Sequence, residues 1–333
     1  MYTVLNPILR DLLRLPPDGQ GAADALRPYL TARDTLAVDA LGSVVWTRAA
    51  LASGATLPPR LLEAHIDTIA LVVTAVLDGG FLRVAPVGGV DRRPLSAQAV
   101  RIWTRTGAVP GVIPATPPHL QGKSADTVPA WTDILVDTLG VTDGIAPGDL
   151  VSLYAEPVFT DDMVFSPGLD NRAGCAALVR ALQLTADAPR AVTAVFATRE
   201  ETSGAGARTA SYATDAPAAV AVDVTFATAP DVDESEAGEL GGGPMLGVSP
   251  VLDGALTDEL RALAAAAGVS LQTEVMGGRT GTDADKIQSV RTGIPTALLS
   301  IPQRNMHTAA ELCTLRDIED TARVLQGFVV AAE

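Results

Sequence analysis

The chain has 333 residues, of which 47% are hydrophobic and 19% are charged. This length allows about two domains of ~100 to 200 residues, and so high an apolar content excludes disorder as the overall state. The formal net charge of −15 disfavours nucleic acid and anionic membrane surfaces as partners, because both repel an acidic protein.

The first residues predict an amphipathic helix rather than a targeting segment. Arg10, Asp11 and Arg14 interrupt the leucines of residues 1–16 at helical spacing, and the pattern of a signal peptide is missing. No apolar run approaches the ~20 residues that cross a bilayer. The two cysteines, Cys175 and Cys313, are too few for a disulfide framework, so we expect a cytoplasmic protein with both thiols free and buried.

The next elements are a second helix over residues 22–32, a β-hairpin over residues 35–48 around Gly42, and a strand over residues 61–67. From residue 72 to 159 the apolar stretches become short. Gly and Pro interrupt them, for example at Gly79-Gly80 and Gly88-Gly89, which is typical of a small all-β unit. We therefore predict an inserted β-rich domain, residues 72–159, within a discontinuous main domain formed by residues 1–71 and 160–333.

Helix and strand patterns alternate in the remainder of the chain. Helices are predicted over residues 172–184, 205–213, 257–267 and 314–331, and strands over residues 191–198, 218–224, 271–275 and 296–301. Such alternation favours an α/β fold, here a mixed sheet with helices on both faces. Trp46, Trp103 and Trp131 are scattered along the chain and are expected in the core.

Two candidate site residues lie at the end of the strand predicted over residues 61–67. His65 and Asp67 are two positions apart, and such residues share one face of a strand. The Asp67 carboxylate could therefore orient the imidazole of His65, although a purely structural pair is the simpler reading of these two residues alone. A third candidate, Asp223, lies in an apolar strand, where a metal ion would offset the cost of burying a carboxylate.

The other candidates each have a structural alternative. Asp170 precedes a helix and could be its N-cap, Glu200-Glu201 could be a solvated turn, and His307 could be a surface residue. All follow or flank predicted strands, and loops past the carboxyl ends of strands form the functional crevice of open α/β sheets. Two histidines and three carboxylates there could hold two divalent cations with one bridging carboxylate, which leaves Glu200 free as a base.

These residues form an ordered set of motifs along almost the whole chain. The motifs are His65-x-Asp67, Asp170-Asn171-Arg172, Glu200-Glu201, Asp223-Val224-Thr225, His307 with Glu311, Asp39-Ala40-Leu41-Gly42, Gly148-Asp149, Pro117-Pro118-His119 and Gly281-Thr282-Asp283-Ala284. The set resembles the M42 family of co-catalytic metallo-aminopeptidases, which includes glutamyl, leucyl and lysyl aminopeptidases and proteins sometimes labelled endoglucanases.

The position of the insertion separates M42 from related families. The first histidine and Asp170 are 170 − 65 = 105 positions apart, which fits the PDZ-like insert of M42. A lid after the Glu-Glu pair would suggest the M20 family instead, and M18 chains are considerably longer.

The resemblance implies a site with two divalent metal ions, with zinc, cobalt and manganese as candidates. Its ligands would be His65 and Asp223 for one ion, Glu201 and His307 for the other, and Asp170 between them. Glu200 would be the general base, and Asp67 the partner of His65.

The activity that the resemblance implies is an aminopeptidase acting on short peptides. A water activated by the two ions would attack the N-terminal peptide bond, and Glu200 would transfer its proton to the departing amine. The resemblance also implies a homo-oligomer built from dimers, such as a dodecamer.

The chain departs from the family pattern at five places. Thr68 and Ala70 replace a Glu and a Gly, Asn171 replaces a second Asp, no Lys precedes Asp170, and Asn305 replaces a Tyr. None is a predicted ligand, so the departures bear on substrate specificity more than on metal binding.

Two alternatives differ in chemistry. A related di-metal amide hydrolase, such as an N-acyl amino acid deacylase or a dipeptide-processing enzyme, stays open. A glycosidase is disfavoured, because metal ions would occupy the acids and an aromatic content of 4% is poor for sugar stacking.

Overall fold

The computed structural model describes residues 2–51, 57–121, 127–230 and 232–331. Its strands are β1 (Asp34–Val38), β2 (Val44–Arg48), β3 (Arg60–His65), β4 (Ala70–Leu77), β5 (Phe81–Val87), β6 (Ala99–Thr104), β7 (Gly107–Val112), β8 (Leu135–Asp137), β9 (Leu150–Leu153), β10 (Val158–Phe159), β11 (Met163–Phe165), β12 (Val192–Ala197), β13 (Ala219–Phe226), β14 (Met245–Val248), β15 (Gln272–Val275), β16 (Thr296–Arg304) and β17 (Leu312–Thr314). Its helices are α1 (Leu5–Leu12), α2 (Ala22–Leu26), α3 (Pro118–Gln121), α4 (Leu169–Leu184), α5 (Ala205–Tyr212), α6 (Gly254–Ala267), α7 (Ala284–Ile287) and α8 (Leu315–Val330). None of these helices combines the length and apolar character needed to span a membrane.

A large mixed sheet contains eleven strands of the described chain. Nine follow the order β1-β2-β12-β3-β13-β16-β17-β11-β10, and β14 pairs with β16 and β15. The four central strands β12, β3, β13 and β16 are parallel. Their carboxyl ends therefore meet at one edge of the sheet, where open α/β sheets bind ligands.

Helices cover both faces of this sheet. Successive side chains of a strand point to opposite faces, so one strand contributes to the cores on both sides. Leu62 and Ala64 of β3 pack in one core with residues of α1, α4, α6 and α8. Leu61 packs in the other core with residues of α5 and α7. The predicted mixed α/β architecture is confirmed.

Six further strands close a separate barrel in the order β4-β5-β8-β7-β6-β9. Its core is apolar and includes Leu82, Ile102 and Val136. The barrel strands extend from residue 70 to residue 153, whereas β10, at residues 158–159, pairs with β11 of the large sheet. The strands of the barrel therefore begin two residues before the predicted insertion and end six residues before its predicted end.

Some elements differ from the sequence prediction for local reasons. The pattern does not predict β14 or β17, because both are short and β14 contains Gly247. Helix α6 begins at residue 254 because the Asp253 side chain accepts the N–H of Leu256 at 2.8 Å and caps it. Trp46 is fully buried as expected, but Trp103 and Trp131 are only half-buried.

A buried ion pair holds the β1–β2 hairpin against α4. Arg48 Nε lies 2.6 Å from Asp34 Oδ1, both side chains are fully buried, and Arg48 also donates to the carbonyl oxygen of Leu182. Burial raises the pKa of Asp34, but hydrogen bonds from Arg48 and Thr31 outweigh it and lower the pKa to about 2.

We expect Asp34→Ala to lower the free energy of unfolding by roughly 3–5 kcal/mol, because it leaves a buried guanidinium without its counter-charge. Asp24→Ala removes one partner of an exposed ion pair and should leave stability nearly unchanged. Urea unfolding of both variants measures the difference, and equal losses would contradict this role. Since the pKa of Asp34 is lowered from 3.8 in the folded state, its contribution is present above about pH 4 and is lost as pH falls toward 2.

Candidate metal centre

The structure brings the predicted site residues together at the carboxyl edge of the parallel strands. They come from β3, β13, the loops after β3, β12 and β16, and the first turn of α4. Glu63 of β3 is level with Ala221 of β13, so His65 and Asp223 are level two residues further on. The residues at this edge are His65, Asp67, Asp170, Glu200, Glu201, Asp223 and His307.

The first cluster consists of His65, Asp170 and Asp223, all buried. His65 Nε2 lies 3.2 Å from Asp170 Oδ1 and 3.5 Å from Asp223 Oδ1. The second cluster consists of Asp170, Glu201 and His307. His307 Nε2 lies 3.2 Å from Asp170 Oδ2 and 3.6 Å from Glu201 Oε1. Asp170 thus offers one carboxylate oxygen to each histidine.

The two clusters fit divalent cations. In each, one ligand-type atom per residue lies within 4.8 Å of the others. Glu201 Oε1 is buried and has no hydrogen-bond partner among the described residues. A cation that coordinates this oxygen would offset the cost of burying it. Imidazole nitrogen and carboxylate oxygen together are donors that suit zinc, cobalt and manganese.

The close packing of acids and histidines shifts their pKa values. Burial lowers the pKa of His65, but Asp170 and Asp223 outweigh it and raise the pKa well above its usual value. The hydrogen bond with Asp170 raises the pKa of His307 to about 9. Burial would raise the pKa of Asp170, yet the two imidazoles hold it below its ordinary value. A divalent cation must therefore displace protons from the histidines when it binds.

The two adjacent glutamates have raised pKa values because they are largely buried. Burial raises the pKa of Glu200 to about 8, and Asp223 also raises it. Burial raises the pKa of Glu201 to about 7, with a further contribution from Asp170. A carboxyl group whose pKa is near neutrality can both accept and donate a proton, which suits Glu200 for acid–base work.

Asp67 contacts His65 in a different way from the one expected. His65 Nδ1 lies 3.0 Å from the main-chain oxygen of Asp67, whereas the carboxylate is 3.8 Å away. The carboxylate instead accepts the N–H groups of Glu200 at 3.1 Å and Glu201 at 3.3 Å. Asp67 therefore orients the His65 ring through its carbonyl group and holds the loop after β12 through its side chain.

Two residues with contacts to the site have no role in the sequence prediction. Glu311 is buried, and its oxygens accept the N–H groups of Asp170 and His307, each at 3.1 Å. Gly89, in the loop after β5 of the barrel, has its carbonyl oxygen 3.1 Å from His307 Nδ1. Glu311 stands in one of the family motifs, but Gly89 carries only a turn signal, so sequence offers no clue to its contact.

A pair of buried acids lies beside the first cluster. Burial raises the pKa of Glu63 well above its usual value, and the neighbouring Asp283 raises it further. Burial also raises the pKa of Asp283 to about 7. Burial therefore disfavours ionisation of both acids, which limits the negative charge next to the site.

The positions that depart from the family pattern belong to neither cluster. Asn171 is fully buried, where its amide donates to the carbonyl of Val222 at 2.7 Å and accepts the N–H of Gly174 at 3.1 Å. Asn305 donates to the carbonyl oxygen of Ala310 at 2.8 Å. Thr68 lies in the connection from β3 to β4, and Ala70 is the first residue of β4. His119, the third histidine, is exposed on α3 and is in neither cluster.

The structure thus places two linked groups of candidate metal ligands at the edge where open α/β sheets bind ligands. Residues 42–324 match the profile of the family described as M42 glutamyl aminopeptidase. The chain belongs to this family, which makes it a hydrolase of the aminopeptidase class, and metal dependence is typical of the family. The predicted family is confirmed.

Individual relatives agree with this membership. A lysyl aminopeptidase of Pyrococcus furiosus is 33% identical over 305 residues, which cover 89% of this chain and 87% of the relative. The solved structure of aminopeptidase APDkam598 from the archaeon Desulfurococcus kamchatkensis has a TM-score of 0.89 at 29% identity, with 99% of this chain and 95% of that chain covered. The Pyrococcus horikoshii TET1 peptidase, described as able to assemble into a tetrahedron or a large octahedral shell, has a TM-score of 0.84 at 25% identity over 98% of this chain and all of that chain.

We expect Gly89→Ala to weaken zinc binding, because the added methyl group would lie 2.9 Å from His307 Nδ1 and displace the ring. Disturbing such a hydrogen-bond partner typically costs ~10- to 100-fold in metal affinity. Competition with a chromophoric chelator measures the affinity. Gly254→Ala is the matched control, since a methyl group there meets no atom within 4 Å. Equal zinc affinities for the two variants would rule out this role for Gly89.

Proposed function

We propose that the protein is a two-metal aminopeptidase that removes N-terminal residues from short peptides. The observation that carries this proposal is the position of Asp170, whose two carboxylate oxygens each lie 3.2 Å from a different histidine. The proposed ligands are His65 and Asp223 for one ion, Glu201 and His307 for the other, and Asp170 as the bridge.

The proposed ions are zinc, with cobalt or manganese as alternatives that the mixed nitrogen and oxygen donors also suit. Two such ions would polarise the scissile carbonyl group and lower the pKa of a water molecule. The chain's own contribution is to hold the donors in place: carbonyl groups of Asp67 and Gly89 orient the two imidazoles so that each Nε2 faces the carboxylates.

Glu200 is the proposed general base. It accepts a proton from the attacking water and donates it to the amine nitrogen as the carbon–nitrogen bond breaks. Burial raises the pKa of Glu200 to about 8 before any metal ion is bound, and the positive charge of two nearby ions would lower it, so that the ionised carboxylate could accept the proton. Asp67 is a positioning residue in this scheme, because its carboxylate accepts the N–H of Glu200.

We further propose that residues 72–159 form a PDZ-like domain that governs access to the site and self-association. Two observations support this. The barrel reaches the site through Gly89, whose carbonyl oxygen contacts His307. The TET1 peptidase, similar over nearly the whole chain, is described as able to assemble into a tetrahedron or a large octahedral shell, which supports a homo-oligomer for this protein. We propose that this homo-oligomer is built from dimers.

The experiment that tests the function is hydrolysis of aminoacyl-p-nitroanilides by protein stripped with EDTA, with and without added zinc, cobalt or manganese. Each substrate is matched by its N-acetylated version. We expect activity that returns with metal and vanishes on acetylation, because an aminopeptidase requires a free N-terminus. Release of acetate from the acetylated compounds without release of p-nitroaniline would make the enzyme a deacylase, and no cleavage by metal-loaded protein would overturn the proposal.

The role of Glu200 predicts that Glu200→Gln lowers kcat by ~10²- to 10⁴-fold, because the amide cannot accept the proton. Zinc binding should persist, since Glu200 is not a proposed ligand. Glu236→Gln, at an exposed position, is the control and should keep wild-type turnover. Normal turnover by Glu200→Gln would exclude it as the base.

A further inference from the structure

A cavity of about 470 Å³ lies between α1, the barrel and the start of α4. None of the seven residues at the candidate metal centre lines it. Four arginines do, whereas the acids in its lining are Glu156 and Glu311. The cavity is therefore cationic in a protein whose formal net charge is −15. The four arginines are Arg10, Arg14, Arg101 and Arg172.

These guanidinium groups are poorly neutralised. Of the four, Arg101 alone forms an ion pair among the described residues, a 3.8 Å contact with exposed Glu156 that contributes little. Arg172 is only 3% exposed and donates to the main-chain oxygen of Pro16 at 2.7 Å, and no carboxylate of the described chain is in contact with it. A buried cation without a counter-charge is costly, so an anion in the cavity would stabilise it.

Aromatic rings hold two of the arginines at the cavity in a defined orientation. The Arg101 guanidinium lies 4.0 Å from the centre of the Tyr154 ring, and that of Arg10 lies 4.2 Å from the Phe159 ring. A stacked guanidinium keeps its in-plane N–H groups available for an oxyanion. Trp103, expected in the core, instead lies half-buried in the cavity wall, where its indole N–H donates to Ser152 Oγ at 2.9 Å.

We propose that this cavity binds a small phosphorylated molecule, with its phosphate on the guanidinium groups and the rest of the molecule against Tyr154 and Trp103. Three arginines that have no acid partner among the described residues match a phosphate dianion better than a single carboxylate. The volume lies within the ~300–1,000 Å³ of small-molecule sites and exceeds the needs of a bare phosphate. This binding does not depend on the proposed peptidase activity.

The test is isothermal titration of metal-loaded protein with inorganic phosphate and with phenyl phosphate, against sodium chloride at matched ionic strength. We expect both phosphates to bind, phenyl phosphate more tightly because its ring can pack against the aromatic wall. Arg14→Gln should weaken both by roughly tenfold or more, because it removes a charged hydrogen-bond donor. Arg208→Gln, an exposed arginine outside the cavity, removes the same charge and should bind as the wild type does.

Arg10→Gln is the second variant. Arg172 is not substituted, because its guanidinium group also donates to the main-chain oxygen of Pro16 and so has a structural role. Hydrolysis at the wild-type rate by the Arg14 and Arg10 variants shows that each variant is folded. The phosphate titration does not require hydrolysis, so it tests the proposal even if the protein hydrolyses none of the substrates. Absence of binding beyond that of chloride would overturn the proposal. Equal phosphate affinity in the wild type and both variants would also overturn it, since the phosphate would then lie elsewhere, for example on the metal ions.

Discussion

The arrangement of this protein depends on placing three carboxylates, Asp170, Asp223 and Glu201, at one poorly solvated edge of a sheet. Buried acids are costly unless positive charge faces them, and here two imidazoles do so. The raised pKa values of the histidines and of Glu201 record how strongly these groups depend on one another. Divalent cations would supply more positive charge than two imidazolium groups can, which agrees with a family in which metal dependence is typical.

A main-chain carbonyl group orients each histidine, and the two carbonyl groups come from different parts of the chain. His65 Nδ1 contacts the main-chain oxygen of Asp67, in the loop after its own strand. His307 Nδ1 contacts the main-chain oxygen of Gly89, in the barrel. Glu311 adds a second constraint by accepting the N–H groups of Asp170 and His307. The barrel is therefore part of the site's framework, and a change in its position relative to the large sheet would act directly on His307.

The sequence predicts the central strands well because their apolar runs are long and are bounded by clear loops. Strands β3, β12, β13 and β16 all lie where the pattern indicates, and the candidate side chains other than Asp170 lie on these strands or in the loops that follow them. The pattern is weakest where elements are short, as at β14, or where a cap decides the boundary, as Asp253 does for α6. It also predicts the core for Trp103, whose half-buried position reflects a cavity formed by segments far apart in the chain.

The sequence by itself determined the family, the α/β class and the set of candidate residues, because local periodicity and the order of His, Asp and Glu motifs are properties of the linear chain. Only the tertiary structure decided which groups contact one another. It directed the Asp67 carboxylate to the loop of Glu200, brought Gly89 to His307, and left Arg172 without an acid partner in the part of the chain that is described. These contacts depend on strand register and on packing between the large sheet and the barrel, which arise from long-range interactions that no local pattern encodes.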